Sequence, residues 1–85
     1  MRSVRTDPGG IAMSDIIITN NIRKLRFFAN EMTQLELAER TGSSRSTIMA
    51  VEAGKYTPSL ELAFRNADVF GVSIDDVFKR RNRSE

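Results

Sequence analysis

The sequence predicts an all-α fold: a compact domain of five short helices around one small core. Three observations point there. Serine, threonine and asparagine recur just ahead of runs in which apolar residues return every three or four positions. Glycines stand at the far ends of three of those runs, at Gly42, Gly54 and Gly71. The connections are only a few residues long, which brings successive helices against one another.

Asn20 is the expected cap of the first helix, where Ile22, Leu25 and Ala29 share a face. Thr33 and Glu36, three residues apart, make a capping box for the second helix. That helix turns Leu37 and Ala38 inward and stops at Gly42. Ser43 or Ser44 caps the third helix, about 44–53, with Ile48 and Val51 inward. After Gly54 comes a Lys55-Tyr56-Thr57-Pro58 loop. Ser59 caps a fourth helix whose apolar stripe reads Leu60, Ala63, Phe64, Ala67 and Phe70. Gly71 ends it, and Ser73 caps a short fifth helix carrying Ile74, Val77 and Phe78.

These elements span residues 20–78, one domain. Residues 1–19 read as a flexible leader, since Asp7-Pro8-Gly9-Gly10 interrupts any helix and Met13 offers an alternative start. The β-branched run Ile16-Ile17-Ile18-Thr19 suits a short strand at 16–19. Such a strand either meets its copy in a second chain or lies as a loosely docked tail. Residues 79–85, with Lys79, Arg80, Arg81 and Arg83, read as a basic tail.

Composition excludes several function classes. With 85 residues, no cysteine and no histidine, the chain lacks disulfides, thiolate metal ligands and the commonest general base. There is no glycine loop suited to cradling a phosphate. The adjacent carboxylates Asp75 and Asp76 fall in a helix's first turn, where they favour the dipole rather than catalysis. The expectation is no enzyme, no cofactor and no metal. No apolar run approaches the roughly 20 residues that cross a bilayer. Arg2 and Arg5 precede no apolar stretch either, so neither membrane nor signal peptide is expected and the cytoplasm is the default. The net charge of +2 is less informative than its layout. Arg23, Lys24 and Arg26 cluster, whereas Glu36, Glu39, Glu61, Asp68, Asp75 and Asp76 lie elsewhere. A basic face suits phosphates; a plain solvated face is the alternative.

The most informative spacing is Gln34-x3-Ala38-x3-Gly42-x5-Ile48-x2-Val51. Ala38 is small enough for the third helix to cross closely over the second. Gly42 permits the sharp turn between them. Ile48 and Val51 lock the third helix, leaving its opposite face rigid and solvent-exposed, able to enter a major groove about 12 Å wide.

These residues, with Glu52-x-Gly54-Lys55-Tyr56-x-Pro58-Ser59-Leu60-Glu61-Leu62-Ala63 and Phe70 through Phe78, resemble the Cro and repressor type of helix-turn-helix transcriptional regulator, the XRE family. The likeness is nearest its short single-domain bacterial form and covers roughly Asn21 to Phe78. It implies a lambda-repressor-like fold that binds double-stranded operator DNA as a homodimer and regulates transcription, as a repressor or autoregulator.

The resemblance assigns base contacts to Ser44, Arg45, Ser46, Met49 and Ala50, and phosphate contacts to Gln34, Thr47, Lys55 and Tyr56. Arg45 is the one strong hydrogen-bonding reader among them, and a bidentate pair with guanine contributes about 1–3 kcal/mol of discrimination. The resemblance also implies an Arg26–Glu52 link between the first and third helices. Departures from the pattern are Ser43 and Asn66, polar where apolar residues are usual, and Phe28 and Leu35, the reverse. Ser46 replaces a common glutamine and implies a different operator. An alternative reading is a protein-interaction module, the antitoxin-like partner in a two-protein pair, using exposed Phe27, Phe28, Leu35 and Met49.

Overall fold

The computed structural model describes residues 16–82. Five helices follow in chain order: α1 (Ile22–Phe28), α2 (Gln34–Thr41), α3 (Arg45–Glu52), α4 (Leu60–Phe70) and α5 (Ile74–Val77). They are framed by two strands, β1 (Ile16–Asn20) and β2 (Phe78–Asn82). The all-α class therefore fits only roughly: the architecture is mostly helical, with a small two-stranded antiparallel sheet.

The local signals act where the residue chemistry puts them. Thr33 Oγ1 accepts from the Glu36 N–H at 3.0 Å, and Glu36 Oε1 accepts from the Thr33 N–H at 2.8 Å. That reciprocal box starts α2. Gly42 ends it at φ 75°, a left-handed conformation, and a β-carbon at this position would lie 3.0 Å from Nη1 of Arg65. The same Arg65 atom donates to the Thr41 carbonyl at 3.1 Å, so backbone conformation and space both favour glycine here. Ser44 caps α3, accepting from the Thr47 N–H at 3.1 Å, and Ser59 caps α4, accepting from the Leu62 N–H at 3.1 Å.

α1 divides its cap between two asparagines. Asn21 is the terminal residue but makes no side-chain cap bond. Asn20 supplies the oxygen instead, accepting from the Ile22 N–H at 3.1 Å. Asn21 turns toward α5: its N–H donates to the Val77 carbonyl at 2.8 Å, and its amide to the Asp76 carbonyl at 3.1 Å. Those bonds hold the two ends of the domain side by side.

That placement forms the sheet. β1 and β2 run antiparallel, with Ile16 opposite Asn82, Ile18 opposite Arg80 and Asn20 opposite Phe78. The isoleucines find a partner strand within their own chain, and the basic segment read as a tail over 79–85 is strand as far as Asn82. Phe78, expected inside the fifth helix, takes extended angles (φ −119°, ψ 134°) and opens β2. The readings for residues 1–15, including Met13, lie outside the described residues.

The core joins Ile22, Met32, Leu37, Ala38, Ile48, Val51, Ala67 and Val77, with Leu25, Ala29, Phe70 and Phe78 packed around it. α4 presents a different face from the expected stripe. Ala63, Asn66 and Ala67 are buried, whereas Leu60 and Phe64 are 69% and 50% exposed. At 100° per residue, Asn66 lies on the same side as Ala63 and Phe70, so burying it rotates Leu60 and Phe64 toward solvent. Among the described residues Asn66 keeps one partner in this setting: its amide donates to the Leu62 carbonyl at 2.9 Å, while Oδ1 is buried without one.

Candidate nucleic-acid interface

The α2–turn–α3 unit is built so that only one end of α3 is free. Ile48 and Val51 anchor one side of α3 in the core. Its last residue, Glu52, is gripped by Arg26 of α1 through Nη2–Oε2 at 2.8 Å and Nε–Oε1 at 3.2 Å. Both side chains are mostly shielded, at 16% and 12% exposure, so this is a positioned pair rather than a loose surface contact. Arg26 also donates to the Met32 carbonyl at 2.8 Å, tying in the loop before α2.

The first turn of α3 faces outward. Ser44, Arg45 and Ser46 are exposed, and Met49, one turn on, is 42% exposed. Ala50 is half-buried beside it. Thr47 is half-buried, and its hydroxyl shares a 2.9 Å hydrogen bond with that of Ser44. Lys55 and Tyr56 are exposed in the loop that leaves α3.

Gln34 stands at the first position of α2, half-buried, with its amide donating to Glu52 Oε1 at 3.4 Å. One shallow groove brings Gln34 and Leu35 together with Arg45 and Arg23, around the Arg26–Glu52 pair. Arg23 is a member the motif did not include. The signal for it was available: Arg23 and Arg26 are three apart on α1 and therefore share a side. Lys55 and Tyr56 lie outside this groove. Ser43, polar where the pattern is apolar, meets the Thr41 hydroxyl at 3.0 Å.

Among the described residues no group of histidine, cysteine, aspartate and glutamate is arranged to hold a metal, and no helix is long and apolar enough to cross a membrane. What the site offers is a rigid helix end bearing hydroxyls and a guanidinium, with further basic and amide groups at its flank. Such groups donate hydrogen bonds to phosphate oxygens and to base edges.

Two helices joined by a left-handed glycine turn, the second held from behind and exposed at its start, define a helix-turn-helix protein. Comparison with known families agrees: residues 22–77 match the helix-turn-helix family model. The chain belongs to this family, in its XRE or Cro/repressor branch, a family of DNA-binding transcriptional regulators. It is 51% identical over 57 residues to an uncharacterized HTH-type transcriptional regulator of Methanocaldococcus jannaschii, a match covering 65% of this chain and 86% of that protein. A second such regulator, from Methanothermobacter thermautotrophicus, is 54% identical over 48 residues, or 55% of this chain and 70% of that one. The uncharacterized HTH-type transcriptional regulator YgzD of Bacillus subtilis is 37% identical over 59 residues, 69% of this chain and 88% of the relative.

Proposed function

We propose that this protein is a sequence-specific transcriptional repressor or autoregulator of the cytoplasm that reads the major groove of duplex DNA with α3. The observation that carries the reading is the exposed Ser44-Arg45-Ser46 turn on a helix whose far end is fixed by the Arg26–Glu52 pair. A rigid reader lowers the entropy lost on docking, so its contacts translate into affinity and selectivity.

In this reading Arg45 makes the main polar contact with a base, Ser44 and Ser46 add hydrogen bonds, and Met49 and Ala50 touch thymine methyls. Gln34, Thr47, Lys55 and Tyr56 meet phosphates on either side and set the register. The unit acts as a homodimer, because two copies of α3 about 34–36 Å apart match successive major grooves on one face of the duplex. Selection of bound sequences from random duplexes, repeated at two salt concentrations, tests this. A dyad-symmetric site with steep salt dependence is the expected outcome; uniform weak binding to every sequence defeats it.

A second reading, a module that docks another protein, is favoured by Phe27 and Phe28. These rings are 63% and 71% exposed on α1 and meet edge-on with centroids 5.4 Å apart. A co-purifying partner whose binding is lost in Phe27→Ser is the outcome that supports it.

A further inference from the structure

We propose that Asn20 is a positioning residue for α3, so that the N-terminal strand takes part in holding the reading helix. The functional half of this inference rests on the DNA-binding reading above. Asn20 is the last residue of β1 and precedes the segment matched by the family model.

One side chain joins three elements. Asn20 Oδ1 accepts from the Ile22 N–H at 3.1 Å, at the start of α1. Its Nδ2 donates to the carbonyls of Val51 at 3.1 Å and Glu52 at 3.3 Å, at the end of α3. The Val51 carbonyl also accepts from the Gly54 N–H at 3.0 Å, so Asn20 adds a second donor there; at the Glu52 carbonyl it supplies a partner from outside the helix, which resists fraying. The Asn20 amide presents an acceptor to one helix and a two-hydrogen donor to the other from separate atoms of one short side chain. Aspartate lacks the donor, and leucine lacks both groups.

Glu52 is therefore held twice, through its carboxylate by Arg26 and through its carbonyl by Asn20. Asn20 is itself kept in place by its strand pairing with Phe78, which packs against the core. α3 is eight residues long, too short to persist without such support. Arg45 lies seven residues from Glu52, about 10 Å along the helix, so a tilt at the held end is carried to the base-reading end.

The test uses the full chain with Asn20→Ala and Asn20→Ser, the serine keeping an oxygen near the Ile22 N–H. Amide exchange is first measured without DNA. The expected result is selectively faster exchange at Ala53, Gly54 and Lys55, whose N–H groups close the end of α3, with Ala63 and Ala67 of α4 unchanged as references. Unchanged exchange at all five, or equal acceleration at all five, overturns the clamp. Binding to the selected duplex is then titrated across salt concentrations where each variant is folded. Affinity is expected to fall about tenfold for Asn20→Ala, with the salt dependence retained. Unchanged affinity overturns the functional half, as does a slope reduced by about one charge, which marks a direct phosphate contact instead. A wild type that binds no duplex defeats the proposed function, and the exchange result still decides the clamp.

Discussion

Arg26 and Glu52 meet in a two-point ion pair that crosses from the first helix to the end of the third. The carboxylate also faces the Gln34 amide at 3.4 Å, so all three helices of the DNA-binding unit converge on one residue. Because both charges are mostly shielded, removing one strands the other.

Glu52→Ala is accordingly expected to cost about 3 kcal/mol in urea unfolding, since it leaves the Arg26 guanidinium shielded and unpaired. Replacing both residues together, Arg26→Met with Glu52→Leu, recovers most of that loss because no charge remains to be desolvated. A double variant as unstable as the single one contradicts this account.

Asn66 offers the opposite experiment. Among the described residues its Oδ1 is buried without a partner, and its amide bonds only to the Leu62 carbonyl one turn earlier on the same helix. Asn66→Leu, similar in shape and without polar atoms, raises stability by about 1 kcal/mol. Asn66→Asp, which brings a charge to a site with no exposure, lowers it by several kcal/mol. Thermal melting of the two variants shifts in opposite directions.

The turn between α1 and α2 stores backbone strain at Glu31, which sits at φ 57° directly after Asn30 at φ 63°. Asparagine tolerates this left-handed region; glutamate does so at a cost. Glu31→Gly stabilises the domain by about 0.5–1 kcal/mol, the relief of strain exceeding glycine's extra freedom in the unfolded chain. A fall in the denaturation midpoint for Glu31→Gly contradicts the prediction.

On the proposed reading, Arg45 meets a base and Lys55 a phosphate, so their substitutions are expected to differ. Arg45→Ala costs about 1–3 kcal/mol on the preferred site and relaxes selection at one base position. Lys55→Ala weakens all sequences evenly and lowers the salt slope by about one. Both are read by quantitative binding to a panel of single-base variants of the selected site.

Much of this molecule was legible locally. A capping box needs only Thr33 and Glu36 at the right spacing, and a left-handed stop needs only Gly42, so neither depends on distant residues. The exposed start of α3 follows from Ser44 as its cap and from Ile48 and Val51 as its anchors. Family resemblance supplied the Arg26–Glu52 partnership across 26 positions, which no short-range pattern shows.

What the local pattern does not contain was decided by tertiary placement. Lys79, Arg80 and Arg81 carry no strand signal; they are strand because Asn21 fixes the end of α5 beside β1 and gives them a ladder to complete. Leu60 and Phe64 have core chemistry yet lie outside, because α4 packs through Ala63, Asn66 and Ala67. Asn20 reads as one cap and serves two helices. The sequence by itself determined where α2, α4 and α5 begin and where α2 and α4 stop, since those choices rest on bonds among neighbours. The sheet, the rotation of α4 and the hold on α3 were settled only by the folded structure, since they depend on which distant groups the packing brings within bonding reach.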